Sequence, residues 1–205
     1  MKKIVREFVL AILAGAMIGV GGCVYLSVEN KVVGSLLFTV GLYTIVLNGL
    51  FLYTGKVGYL VNEKASYLIT LLTTWLGNLV GTFVAARLMC ISRIGWIKTD
   101  GIVDAAYASS MAKISQSPLS AFVLAIFCGI LMYVGVDGYK DTKNPIILFA
   151  CVSVFILCGF EHCVANMFYF SLGSAWSASA FGYIILMTLG NSVGGMLIPL
   201  AKKLK

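Results

Sequence analysis

The hexapeptide LGNLVG, residues 76–81, recurs almost unchanged as LGNSVG at residues 189–194. Each copy holds two glycines four positions apart, a spacing that lets membrane helices approach one another closely. Two glycine-rich apolar helices can also resemble each other by chance. The two copies, however, lie at matching positions in the two halves of the chain, which favours an internal duplication.

Composition identifies the solvent in which this duplication folds. Of the 205 residues, 60% are hydrophobic and only 11% are charged. Soluble globular domains carry about 25% charged residues, so this chain lacks the polar surface that a water-facing fold requires. We therefore expect an all-α integral membrane protein that crosses the bilayer several times.

Six apolar segments approach the roughly 20 residues that a helix needs to cross a bilayer. They are residues 7–28, 32–54, 66–91, 117–136, 146–170 and 175–199. The hexapeptides fall in the third and the sixth segment, the last of each half. Since a three-crossing unit must enter the membrane inverted in its second copy, we expect one domain, 1–205, built from inverted repeats at about 1–95 and 110–205. Such repeats place a transport site at the midplane on discontinuous helices, here the second and fifth.

The basic residues predict the orientation. With six spans, both chain ends share one side with ten of the fifteen lysines and arginines, and the other side holds Lys31, Arg87, Arg93, Lys98 and Lys113. Cytoplasmic loops carry the excess of basic residues, so we expect both termini in the cytoplasm of a cell-membrane protein. Because the basic residues are scattered over separate junctions, we expect no nucleic-acid partner.

The N-terminus allows a second interpretation. MKKIVR followed by an apolar run resembles a signal peptide, and VGGC at residues 20–23 resembles a lipoprotein cleavage site. Small residues are equally expected where helices pack closely, and the apolar run continues to Val28. The six cysteines show no CxxC spacing, so we expect neither a metal site nor a cofactor.

Polar residues interrupt the second and fifth spans. GFEHCVANMFYF at residues 159–170 places Glu161 beside His162, the only histidine in the chain, and NGLFLYTGKVG at residues 48–58 contains Thr54. Ionisable groups at membrane depth are costly and usually functional. We expect Thr54 and His162 to face each other at the midpoint of a pore. Alternatively, the Thr54 hydroxyl bonds back to its own helix.

These residues carry a family resemblance. GFEHCVANMF resembles the GFEHSVANMF pattern of the formate–nitrite transporter family, and the likeness continues in LYTG at residues 52–55, in both LGNxVG segments and in Ala112-Lys113. It covers essentially the whole chain. It implies an aquaporin-like fold, assembly as a homopentamer with a pore in each protomer, and conduction of small monovalent anions or their acids, such as formate, nitrite, hydrosulfide and lactate.

The resemblance also implies roles for single residues. His162 is the central pore histidine, Thr54 is its partner on the broken second helix, and Lys113 is the vestibule lysine. The two hydrophobic constrictions are lined by Phe38, Leu42 and Phe155, and Asn166 is counted with the pore. Structural roles are expected for Glu161, which would point about 100 degrees away from His162 on a helix, and for Asn78 and Asn191.

Three departures from the family pattern leave the identity of the permeant open. Two loops are short, YFSLG at residues 169–173 replaces the usual isoleucine-proline pair, and Lys56 stands where members commonly have a small polar residue. Whatever the permeant is, an anion that enters an apolar constriction loses its hydration. Burial disfavours the charged forms of both an acid and a histidine, so it favours handing a proton to the anion. Lys113 would concentrate anions at the mouth.

Two other classes of function fit less well. A neutral-solute channel of the aquaporin or urea type would not need the histidine, and the paired NPA motifs of aquaporins are missing from the sequence. A membrane enzyme or assembly factor would need several convergent polar groups, yet seven of the eight acidic residues fall at span ends or in loops. We therefore expect no enzyme.

Overall fold

The computed structural model describes residues 1–95 and 101–204, and its regular secondary structure is entirely helical over these ranges. The α-helices are α1 Lys2–Ser27, α2 Lys31–Leu47, α3 Tyr67–Ile91, α4 Ile102–Ser115, α5 Pro118–Thr142, α6 Pro145–Leu157, α7 Cys163–Leu172 and α8 Ala178–Lys202. Short 3-10 helices occupy Val57–Asn62 and Arg93–Gly95. The predicted all-α class is confirmed.

Four helices, α1, α3, α5 and α8, are long and apolar enough to cross a membrane. Each has 25 or 26 residues, which at a rise of about 1.5 Å per residue spans some 38 Å, more than the roughly 30 Å of a hydrocarbon core. Their polarity is inverted relative to a soluble protein. On α3, Leu72 and Leu88 are exposed, whereas Thr70, Thr74 and Thr82 are buried. The outer surface therefore suits lipid.

The glycines of the two hexapeptides allow two helix pairs to touch at their backbones. Helix α3 packs on α1, and α8 packs on α5. A side chain at Gly81 would collide with the carbonyl of Ile12, and one at Gly194 would collide with the carbonyl of Ile126. Because the obstacle is backbone, it cannot rotate away, so only glycine fits at these two crossings.

The asparagine at the centre of each hexapeptide ties down a non-helical segment. Asn78 Nδ2 donates to the carbonyls of Ala11 and Phe51, both at 2.8 Å, and its Oδ1 accepts from the Tyr53 amide at 2.9 Å. The Phe51 carbonyl and the Tyr53 amide lie outside helices and have no intrahelical partner, whereas the Ala11 carbonyl belongs to the interior of α1. Buried backbone groups need such partners, so this side chain is structural.

Asn191 repeats the arrangement in the other half of the chain. Its Nδ2 donates to the carbonyls of Ala125 and Glu161, both at 2.8 Å, and its Oδ1 accepts from the Cys163 amide at 2.9 Å. The two asparagines thus hold residues 51–53 and 161–163 in the same way.

The two shorter helices that lead into these segments also end alike. Gly49 follows α2 with φ 61°, and Gly159 follows α6 with φ 69°, both in the left-handed region. The amide two residues after each C-cap bonds back into the last turn, Leu50 to Ile45 and Phe160 to Phe155, each at 2.9 Å. This pattern is a Schellman motif, in which glycine avoids the strain of positive φ. The chain then runs non-helically to residue 56 and to residue 162 respectively.

Two regions differ from the boundaries that hydropathy predicts. Helix α4 lies before span four, in a stretch of mixed composition for which hydropathy predicts no helix. Helix α5 extends beyond 136 to Thr142, since Asp137 is satisfied there by Tyr59 Oη at 3.1 Å and by Lys202 Nζ at 3.4 Å. Lys98, one of the basic residues used for orientation, lies outside the described residues.

Candidate functional site

His162 is held at the start of α7 by its own side chain. It is the N-cap residue, with extended backbone, and its Nδ1 accepts a hydrogen bond from the Ala165 amide at 3.0 Å. A ring nitrogen that accepts carries no proton. The neutral imidazole therefore carries its hydrogen on Nε2, and the helix cap selects this tautomer.

Thr54 is the partner of that second nitrogen. Its Oγ1 lies 2.8 Å from His162 Nε2, and the two residues are 1% and 2% exposed. Since Nε2 carries the hydrogen, it donates and Oγ1 accepts. The hydroxyl keeps its own proton, which it can donate to another acceptor. The Thr54 hydroxyl thus contacts a residue 108 positions away in the sequence. It does not bond back to its own helix, which was the alternative.

An aromatic wall adjoins the imidazole. The ring of Phe155 stacks on that of His162 with centroids 5.6 Å apart and an angle of 18° between planes. Phe38 meets Phe155 edge to face at 6.2 Å. Phe155 precedes His162 by seven residues, a spacing that would put both on one face of a continuous helix. The two side chains are in contact, but across the non-helical turn after α6, which ends at Leu157.

Glu161 is the centre of a polar network. Its Oε2 accepts from Lys113 Nζ and from Asn166 Nδ2, both at 2.7 Å, and its Oε1 accepts from Gln116 Nε2 at 2.7 Å. Glu161 precedes α7, so the expected angle of about 100 degrees from His162 on a helix does not describe its position. The ion pair with Lys113 is largely shielded from solvent, with the two side chains 17% and 4% exposed. Lys113 is therefore a compensated charge.

Two cavities lie near the Thr54–His162 pair, one lined by His162 and the other by residues beside Thr54. The histidine cavity, about 200 Å³, is lined by residues that include Tyr25, Phe38, Lys113, Phe155 and His162. The terminal cavity, about 70 Å³, is lined by Leu42, Ile45, Val46, Gly49, Leu50, Leu52, Gly55, Lys56, Val136 and Lys140.

The two cavities lie towards opposite ends of α1. Tyr25, on the histidine cavity, is near the end of α1, whereas Phe51, beside the terminal cavity, bonds through its amide to Leu10 and shares a surface with Lys2 and Lys3. Thr54 stands between Leu52 and Gly55 in the chain. The hydrogen bond therefore joins His162, which lines the histidine cavity, to a residue whose chain neighbours line the terminal cavity.

The expected site residues divide between these places. His162, Thr54, Phe38, Phe155, Lys113 and Asn166 lie at the histidine cavity or its floor, and Leu42 lies one turn after Phe38, on the terminal cavity. Sequence reasoning missed Gln116, Leu52, Val136 and Lys140. Counting from the paired glycines would have found Leu52, which follows Gly49 by the three positions that separate His162 from Gly159.

Comparison with known proteins agrees with this geometry. The family model described as formate/nitrite transporter matches residues 1–202. Among curated proteins, a probable formate transporter of Methanothermobacter thermautotrophicus is 29% identical, with 93% of this chain and 84% of the relative covered. The nitrite transporter NirC of Escherichia coli K12 is 26% identical, with 92% and 78% covered. The formate channel FocA of Haemophilus influenzae is 27% identical, with 84% and 68% covered.

A solved structure shares the whole fold. A pentameric formate channel with formate bound superposes with a TM-score of 0.87 at 27% identity, covering 99% of this chain and 97% of the other. Together with four helices apolar enough to cross a membrane, these matches identify a multi-pass membrane protein. The chain belongs to the formate/nitrite transporter family.

Proposed function

We propose that this chain is a cell-membrane channel for small monovalent anions or their conjugate acids, with formate, nitrite or hydrosulfide as the permeant. The observation that carries the proposal is the 2.8 Å hydrogen bond between Thr54 and His162, because it links the histidine cavity to the chain segment that lines the terminal cavity. The names of the relatives supply formate and nitrite as the chemical class. The proposed role of His162 is to pair with the permeant or to exchange a proton with it.

The proposed architecture has six spans in two inverted repeats, residues 1–95 and 110–205, with aquaporin-like broken second and fifth helices. The second span comprises α2 and the 3-10 helix Val57–Asn62, and the fifth comprises α6 and α7. Support comes from the equivalent contacts of Asn78 and Asn191 and from the matching Schellman motifs at Gly49 and Gly159.

The proposed assembly is a homopentamer in a lipid bilayer with both termini in the cytoplasm. The pentameric state is supported by the likeness to the pentameric formate channel. The orientation is supported by the excess of basic residues on the side of the chain ends. The terminal cavity is then the cytoplasmic mouth, and the histidine cavity is the external one.

Two donors can replace the water that an anion loses between the cavities. The Thr54 hydroxyl keeps a free proton, and the Nε2 hydrogen of His162 can turn from Thr54 to the permeant. Hydrogen bonds from fixed donors are worth more in a buried site than in water. The neutral imidazole can therefore pair with an anion without carrying charge.

Proton exchange requires one further change. An imidazolium needs a hydrogen on Nδ1, and the Ala165 amide occupies that lone pair. Protonation of His162 therefore breaks the α7 cap. The imidazolium then gives the proton on Nε2 to the anion, and the neutral acid leaves through the apolar constriction. Release of the Nδ1 proton to water and uptake of a proton on Nε2 restore the starting tautomer, in which Nδ1 again accepts from the Ala165 amide.

Proteoliposome flux tests the proposal. Formate, nitrite, hydrosulfide and lactate are compared side by side with urea and glycerol at several external pH values. We expect uptake of at least one weak-acid anion, rising as the external pH falls, and no uptake of the neutral solutes. Uptake of urea or glycerol without any anion would instead identify a neutral-solute channel.

A further inference from the structure

The terminal cavity has two lysines in its wall, Lys56 and Lys140. Lys56 is half-buried and follows the non-helical segment after α2, and Lys140 is exposed near the end of α5. Lys56 is also the position at which the chain departs from the common family pattern. Neither residue has a role in the mechanism above.

Both ammonium groups rest on neutral partners. Lys56 Nζ lies 3.7 Å from the centroid of the Phe51 ring. Lys140 Nζ donates to Tyr59 Oη at 2.9 Å and lies 4.1 Å from the same ring's centroid. These contacts position the cations, and they add no negative charge to the cavity.

Two acidic residues nearby pair with other lysines, and Asp137 and Asp141 act on Lys140 without forming an ion pair with it. Asp137 accepts from Tyr59 and pairs with Lys202 at 3.4 Å, and Glu7 pairs with Lys3 at 3.7 Å. In the part of the chain that the structure describes, neither Lys56 nor Lys140 forms an ion pair. The terminal cavity therefore has a positive wall.

Lys56 and Lys140 line the same small cavity, and the two ammonium charges act on each other there. An anion bound beside the two ammonium groups would supply the negative charge that no side chain provides in this cavity. At about 70 Å³ the cavity holds roughly two water molecules at about 30 Å³ each, which suits an anion of three heavy atoms.

We propose that Lys56 and Lys140 form a second anion-binding site in the terminal cavity, for a monovalent carboxylate or oxyanion of the size of formate or nitrite. Its contribution to conduction rests on the proposed channel function, but binding there does not. The site places an anion at the apolar constriction formed by Leu42, Leu52 and Val136, on the side of the chain ends.

Binding of ¹³C-formate to the purified oligomer in detergent, followed by NMR line width, tests the site without transport. The His162→Asn background removes the central group, so the remaining binding reports on the terminal cavity. In that background we expect Lys56→Met or Lys140→Met to weaken formate binding roughly five-fold, the effect of one unit charge at contact distance in an aqueous mouth. The double variant should abolish saturable binding.

Lys64→Met is the matched control, since Lys64 is exposed on the same side and does not line the cavity. Unchanged binding in both lysine variants would overturn the proposal, and so would equal weakening by Lys64→Met. Elution as the same oligomer, with an unchanged melting temperature, shows that each variant is folded. If liposomes conduct no anion while the binding results stand, the channel function fails and the site remains.

Discussion

Residues 48–56 and 158–162 are two non-helical segments with one backbone plan and different side chains. Both follow a left-handed glycine, and both are held by an asparagine from the last helix of their half. Three positions after the glycine the first has Leu52 and the second has His162. The scaffold is duplicated, whereas the imidazole occurs once. The glycine and the asparagine therefore fix the backbone of both segments, whereas only the second segment has a side chain, His162, that can act on a permeant.

The same comparison explains the unequal charge of the two cavities. Two positions after the glycine stand Phe51 and Glu161, and each contacts a lysine. The Phe51 ring leaves the charge of Lys56 uncompensated at 3.7 Å, whereas the Glu161 carboxylate neutralises Lys113 at 2.7 Å. The difference between Phe51 and Glu161 at equivalent positions thus makes the wall of the terminal cavity positive and that of the histidine cavity neutral.

The largest effect should come from the asparagines. Asn78→Leu or Asn191→Leu leaves two backbone groups of a non-helical segment, one carbonyl and one amide, without their partner, each costing about 1–3 kcal/mol. We expect neither variant to elute as a folded oligomer in mild detergent, whereas Leu189→Ala, at an exposed position, should elute normally. If one asparagine tolerates the change and the other does not, the two segments are not equivalent.

Loss of the pH response is expected next. His162→Asn keeps a hydrogen-bonding side chain at the N-cap but removes the imidazole, whose ring nitrogen can take up and release a proton. Anion flux should persist and become independent of pH. Leu52→Asn, at the matching position of the first segment, should keep the pH profile. An unchanged profile in His162→Asn would reduce the histidine to a structural hydrogen-bonding group.

Lys113→Met should lower uptake by more than the loss of one attractive charge would, because it also breaks the ion pair with Glu161. Lys113→Met leaves a buried carboxylate without its cation, and such unpaired charges are strongly unfavourable. We expect uptake at low substrate to fall about ten-fold or more, since 1.4 kcal/mol already corresponds to ten-fold. Lys113→Met with Glu161→Gln should recover part of the flux. Equal loss in the single and double variants would assign the whole effect to the lysine.

The smallest effect belongs to Thr54. Thr54→Val deletes one hydrogen bond, worth about 1 kcal/mol, so we expect roughly five-fold slower flux with the pH response retained. Thr54→Ser keeps the hydroxyl and should conduct at nearly the normal rate. A Thr54→Val channel that conducts normally would show that imidazole alone serves the permeant.

The sequence predicted the helical class and the membrane environment because both follow from composition. It also indicated the relevance of Thr54 and His162, since polar residues at membrane depth are rare. It did not predict the Lys113–Glu161 contact, because the two residues are 48 positions apart and α4 has too mixed a composition to mark as a helix. Local periodicity cannot describe Glu161 or Phe155 either, because the turn between α6 and α7 interrupts it.

The order of synthesis gives the asparagine contacts a further consequence. Asn78 bonds to Ala11, Phe51 and Tyr53, all of which leave the ribosome earlier than Asn78 does. The first half can therefore close as soon as α3 is inserted, in keeping with the N-terminal-first folding of nascent chains. The second half waits for Asn191 in α8. The Thr54–His162 bond joins the halves, so the central pair is assembled late in biogenesis, on a first half that is already built.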